Sequence, residues 1–132
     1  MLKNITFLGR VSDSEKASLI ELCRAVVLPS HLRSEAFGVA LLEGAMYKKP
    51  LISTVLGTGT NYVNIDGETG LVVPAADADT LRKAMLLLDG DKDLSKNMGQ
   101  AAFRRYNKLF KGSLMGVQYC KIYRSLMANK NG

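Results

Sequence analysis

The chain has 132 residues, 47% of them hydrophobic and 23% charged, with a formal net charge of +6. That is one domain's worth of sequence, apolar enough for a core, with no run approaching the ~20 residues that cross a membrane as a helix. One histidine, His31, excludes a multi-histidine metal cluster, and two distant cysteines, Cys23 and Cys120, exclude a disulfide framework.

Both cysteines fall in helical patterns and are expected as reduced, buried thiols of a cytosolic protein. The opening residues, Met1 to Phe7, lack the apolar run of a secretory signal. Ile5-Thr6-Phe7-Leu8 predicts a short strand ended by Gly9. Ser12, Asp13 or Ser14 can cap a helix that runs to about Arg24. Ala25-Val26-Val27-Leu28 predicts a buried strand, stopped by Pro29 and Ser30. A polar loop follows, and a helix begins near Phe37 or Gly38 and runs to about Tyr47. Lys48 and Lys49 suit its negative end, and Pro50 cannot continue it. Leu51 to Thr54 is a third strand, followed by a glycine- and threonine-rich loop, Val55 to Tyr62.

Tyr62 to Ile65 predicts one helical turn and Asp66 to Gly70 a turn, feeding strand Leu71-Val72-Val73. Asp77 or Asp79 starts a helix through about Leu88, broken by Asp89-Gly90-Asp91. Helices over about 93–109 and 113–128 complete the pattern, with a frayed tail, Asn129 to Gly132. Met46, Met85, Met98, Met115 and Met127 are expected to pack between helices. Strands that are apolar throughout, alternating with helices, indicate an α/β fold. Its parallel Rossmann-like sheet carries helices on both faces.

In such a sheet a ligand lies beyond the carboxyl ends of the strands. The loops after Leu28 and Thr54 both belong to that end and are expected to converge on one crevice. Glu35 sits on the first loop and Glu43 about a turn into the helix behind it. A helix start offers unpaired N–H groups and a positive dipole end, which suit phosphate, and Gly38 lets a ligand approach the backbone. Phosphate there, with a carboxylate on each side for sugar or ribose hydroxyls, describes a nucleotide-sugar site. The basic excess is mostly C-terminal and is read as a solvated helix face. The few aromatics are not interleaved as nucleic acid would require, so no nucleic-acid partner is expected.

Glu35-Ala36-Phe37-Gly38, with Glu43 closing an E-x7-E spacing, resembles the signature of the family 4 retaining glycosyltransferases. Phe7 to Val11, Leu28-Pro29-Ser30, Lys49 to Ile52 and Gly67 to Pro74 match further blocks in that family's order. The resemblance implies a GT-B enzyme whose C-terminal domain binds a nucleotide-sugar donor. It implies transfer of a hexose, with retention, to a polysaccharide or lipid-linked acceptor. By it Glu35 lies at the donor sugar as the catalytic carboxylate, and Glu43 holds the ribose hydroxyls. The backbone of Phe37, Gly38 and Val39 contacts sugar and phosphates, and Thr58 and Gly59 lie near the phosphates. No cofactor or metal is implied.

Residues 57 to 64 look like those of bacterial surface-polysaccharide mannosyltransferases, which suggests GDP-mannose, with UDP-hexoses open. A cytoplasmic location follows, with peripheral association at the inner face of the membrane. The alternative is a non-catalytic nucleotide- or phosphate-binding Rossmann-like module.

Ala36 stands where the family usually has glycine and Asn61 where it often has glutamate. The family's basic pair and glycine-rich turn, which precede its third strand, have no counterpart here. The expected reading of residues 1–132 is therefore the donor domain without its first strands and without the acceptor domain, inactive by itself. Ile5 to Leu8 would then close directly onto Ala25 to Leu28 in a four-stranded sheet, or two copies would exchange strands.

Overall fold

The computed structural model describes residues 3–128. Helix α1 spans Asp13–Leu22, and strand β1, Val26–Leu28, leads into helix α2, Val39–Met46. Strand β2, Leu51–Thr54, is followed by the single-turn helix α3, Thr60–Val63. Strand β3, Gly70–Val73, precedes three long helices: α4, Ala78–Gly90; α5, Lys92–Leu109; and α6, Gly112–Ala128. The sheet is parallel, in the order β1-β2-β3, with Val26 opposite Leu51 and Leu51 opposite Gly70.

Two cores lie against this sheet. Leu41, Ala45, Leu51, Val63, Ala102 and Phe110 form one, and Ile52, Val73, Ala84, Leu88 and Met98 form the other. Consecutive residues of β2, Leu51 and Ile52, enter opposite cores, as the period-two pleat requires. All four residues of β2 are buried, so the expected apolar, doubly covered central strand is what forms. Helix α5 contributes to both cores. Where β2 and β3 meet, buried Asn64 donates to Ser53 Oγ at 2.9 Å and to the Leu71 carbonyl at 3.1 Å. Its own oxygen accepts from Thr69 Oγ1 at 2.9 Å.

The opening segment departs from expectation. Ile5 to Leu8 forms no strand, and Phe7 is 94% exposed. A strand exists only against a partner, and the crossover that would bring this one to β1 needs α1 to pack back onto the sheet. Helix α1 buries no residue. Its capping box is formed, with Ser12 and Glu15 exchanging hydrogen bonds, but local capping does not supply an apolar face. The sheet therefore has three strands among the described residues, and the four-stranded closure is not what forms.

The thiols also differ from expectation: Cys23 is half-buried and Cys120 exposed on α6. Of the five helix methionines, only Met98 is buried; Met46, Met85, Met115 and Met127 lie on the surface. The tail, Asn129 to Gly132, lies outside the described residues.

Candidate active site at the carboxyl ends of the strands

The loops leaving β1 and β2 are tied together at several points. The Thr54 hydroxyl, at the end of β2, donates to the carbonyl of Ser30, just past the end of β1. The Gly59 amide donates to the Ala36 carbonyl at 2.8 Å. A Cβ on Gly59 would lie 2.7 Å from that same carbonyl oxygen, so only glycine permits the approach. The Arg33 guanidinium reaches the Gly57 carbonyl at 3.5 Å. The crevice expected from topology thus has both of its walls in contact.

Glu35 is half-buried in the first wall, and its Oε1 accepts the Gly38 amide at 3.0 Å. Gly38 is buried and precedes α2 with φ +78, the left-handed backbone that glycine adopts without strain. The Leu41 and Leu42 amides return to the Gly38 carbonyl, at 2.9 and 3.4 Å. The amides of Val39 and Ala40 therefore lie ahead of the first intrahelical bond, where a helix accepts an anion. Val39 itself is 63% exposed. Beside this helix start Glu35 also lines a cavity of about 230 Å³ with Ser30, His31, Leu32 and Ser34.

Phe37 stands at the rim. Its ring meets Phe110 edge-on at 5.8 Å between centroids, and Tyr62 meets Phe110 in the same manner at 5.6 Å. Arg105 braces this cluster, donating to the Tyr62 carbonyl from Nε at 3.0 Å and from Nη2 at 2.6 Å. In the second wall, Thr58 and Thr60 share a hydroxyl–hydroxyl bond of 3.1 Å.

Glu43 lies a turn and more further along α2 and points to a different neighbour. The Lys16 ammonium of α1 stands 2.7 Å from its Oε1. The Glu43 carboxylate holds the Lys16 ammonium above its ordinary value. The structure thus brings Glu35, Phe37, Gly38, Val39, Thr58 and Gly59 to one end of the sheet and gives Glu43 a cationic partner.

Lys16, Thr54, Arg105 and Phe110 did not stand out in the sequence. Each acts on a residue at least 24 positions away, and no spacing signals that.

A family model described as glycosyl transferases group 1 matches residues 1–105. D-rhamnosyltransferase WbpZ of Pseudomonas aeruginosa is 55% identical over 109 residues, 83% of this chain and 29% of that protein. O-antigen chain mannosyltransferase C of Escherichia coli is 42% identical over 130 residues, 98% of this chain and 35% of that protein. The chain therefore spans about a third of the length of the curated relatives it matches. Among solved structures, sucrose-phosphate synthase of Thermosynechococcus elongatus superimposes with a TM-score of 0.85 at 28% identity, over 94% of this chain and 30% of that one.

Proposed function

This chain belongs to the glycosyl transferases group 1 family, and from that membership we propose that it is the donor-binding part of a retaining hexosyltransferase. The observation that carries the reading is the joined pair of loops: Glu35 holding the Gly38 amide, and Gly59 bonded to Ala36. A nucleotide-sugar laid across them meets the start of α2 with its diphosphate and the cavity beside Glu35 with its sugar. The amides of Val39 and Ala40, with Thr58 and Gly59 opposite, are the groups assigned to the phosphates. Protein groups then meet the charge of the leaving diphosphate, and no metal is assigned.

Glu35 is assigned the reacting end. One carboxylate oxygen is engaged by Gly38, which fixes the side chain. The other is left to orient sugar hydroxyls and to oppose positive charge growing at the anomeric carbon. Glu43 is assigned the ribose, whose hydroxyls would add to or replace its contact with Lys16.

The sugar is proposed from the named relatives, one a D-rhamnosyltransferase and one a mannosyltransferase. D-rhamnose is mannose without its 6-hydroxyl. A manno-configured hexose, carried by GDP, is therefore the donor assigned, ahead of a UDP-hexose. The acceptor, a polysaccharide or lipid-linked glycan, is assigned to a second domain of the whole enzyme. Such an enzyme works in the cytoplasm, peripheral to the membrane.

Titration calorimetry on the intact protein with GDP, UDP and ADP tests this. GDP is expected to bind most tightly. Glu43→Ala should weaken GDP binding at least ~10-fold, because charge-assisted hydrogen bonds are lost. Unchanged affinity removes Glu43 from the site. Glu35→Gln should lower kcat with little change in donor affinity, whereas equal losses in both would give it a plain binding role.

A further inference from the structure

At the opposite end of the sheet, beside the amino ends of β1 and β2, a cavity of about 510 Å³ opens. Arg24, Lys48, Lys49, Lys92 and Lys96 line it, and Asp89 supplies its one carboxylate. Asp89 stands 3.8 Å from Arg24, and the Lys49 ammonium donates to the Glu21 carbonyl at 2.7 Å. Lys92 and Lys96 have no carboxylate at ion-pair distance among the described residues.

Three local rules are broken to bring these cations together. Lys48 has φ +57 at the turn after α2, a left-handed backbone that strains a side-chain-bearing residue and that glycine adopts freely. Lys92 opens α5 at the positive end of the helix dipole, where a cation is unfavourable. Lys92 and Lys96 are one turn apart on the same helix face, where like charges repel. The backbone of Lys48 is held firmly in place. Its amide bonds to the Ala45 carbonyl at 3.0 Å, and a Cβ on Gly99 of α5 would come within 2.0 Å of the Lys48 carbonyl oxygen. A multiply charged anion relieves the two charge penalties, and the Lys48 ammonium, which lies over the Phe103 ring at 5.0 Å from its centroid, would swing from that ring to join it.

We propose that this cavity is a second anion site, distinct from the donor crevice, that binds a phosphate group through Lys48, Lys92 and Lys96. The phosphate belongs to a soluble phosphorylated molecule or to the head group of an anionic phospholipid, and both present the same chemistry to the lysines.

The chain is titrated calorimetrically with inorganic pyrophosphate, and separately sedimented with vesicles of phosphatidylcholine alone or mixed with phosphatidylglycerol. The variants are Lys48→Gly, which suits the left-handed turn and so protects the fold, and Lys92→Gln with Lys96→Gln. Circular dichroism verifies that each is folded. Pyrophosphate binding that weakens about 10-fold or more in both variants, and falls with added salt, supports a site for soluble phosphates. Capture by phosphatidylglycerol vesicles alone, lost in both variants, supports a head-group site. Absence of binding to both probes overturns the proposal, and so does binding that both variants retain.

Discussion

Helices α5 and α6 are nearly equal in length, 18 and 17 residues, and both carry a stripe of uncharged residues at helical spacing. In α5 the stripe is Ser95, Met98, Gly99 and Ala102, all buried. In α6 it is Met115, Tyr119, Ile122 and Leu126, each at least 45% exposed. Small residues let α5 come close to the backbone it covers; no side chain of α6 is buried among the described residues. Periodicity therefore reports that a helix has a face, and residue size reports how near that face can come to something else.

The contrast makes a graded series of expectations for chemical denaturation. Gly99→Val should have the largest effect, about 3 kcal/mol or more, because its Cβ would meet the Lys48 carbonyl and α5 would have to move. Met98→Ala should cost roughly 2–3 kcal/mol, toward the lower part of the range for buried methionines, because Met98 is flexible and its pocket can partly collapse. Asp91→Ala should cost about 1 kcal/mol by removing the side chain that accepts the Leu94 amide and caps α5. Leu126→Ala in α6 should stay within about 0.5 kcal/mol. A loss above about 1 kcal/mol there would mean that α6 packs in solution, and the contrast would fail.

Acid sharpens the same series at its smallest end. The Ser12 amide holds the Glu15 carboxyl below its ordinary value, and the Thr80 amide does the same for Asp77. Each depressed folded value means a contribution present above the unfolded value and lost as pH falls through the folded one. Amide chemical shifts followed below pH ~4 should therefore show α1 and α4 loosening at their first turns. Helix α6, with no acidic residue in its first turn, should show no such step.

What could be read in advance follows the range of the interaction. Strand β2 was legible to the residue, because Pro50 bounds it and all four residues are covered. Ile5 to Leu8 looks like a strand by the same local criteria, but a strand needs a neighbour and no local pattern announces one. The Glu35–Gly38 bond joins residues three apart and lies within a motif visible in the sequence. The Lys16–Glu43 pair and the Asn64 network depend on elements that only the folded sheet brings together. The α6 stripe was legible as a helix and misleading as a core.

Phe110 sits between the two walls of the crevice. It is buried at the end of α5, and its ring touches Phe37 of one crevice wall and Tyr62 of the other. Besides their direct hydrogen bonds, the two walls thus share one buried aromatic anchor. A fluctuation that lifts this ring would loosen its hold on both loops at once, coupling them through the end of a helix. The amides of Gly38 and Gly59 should then exchange with solvent in step, at a rate set by a residue that meets the assigned donor site only through the Phe37 ring.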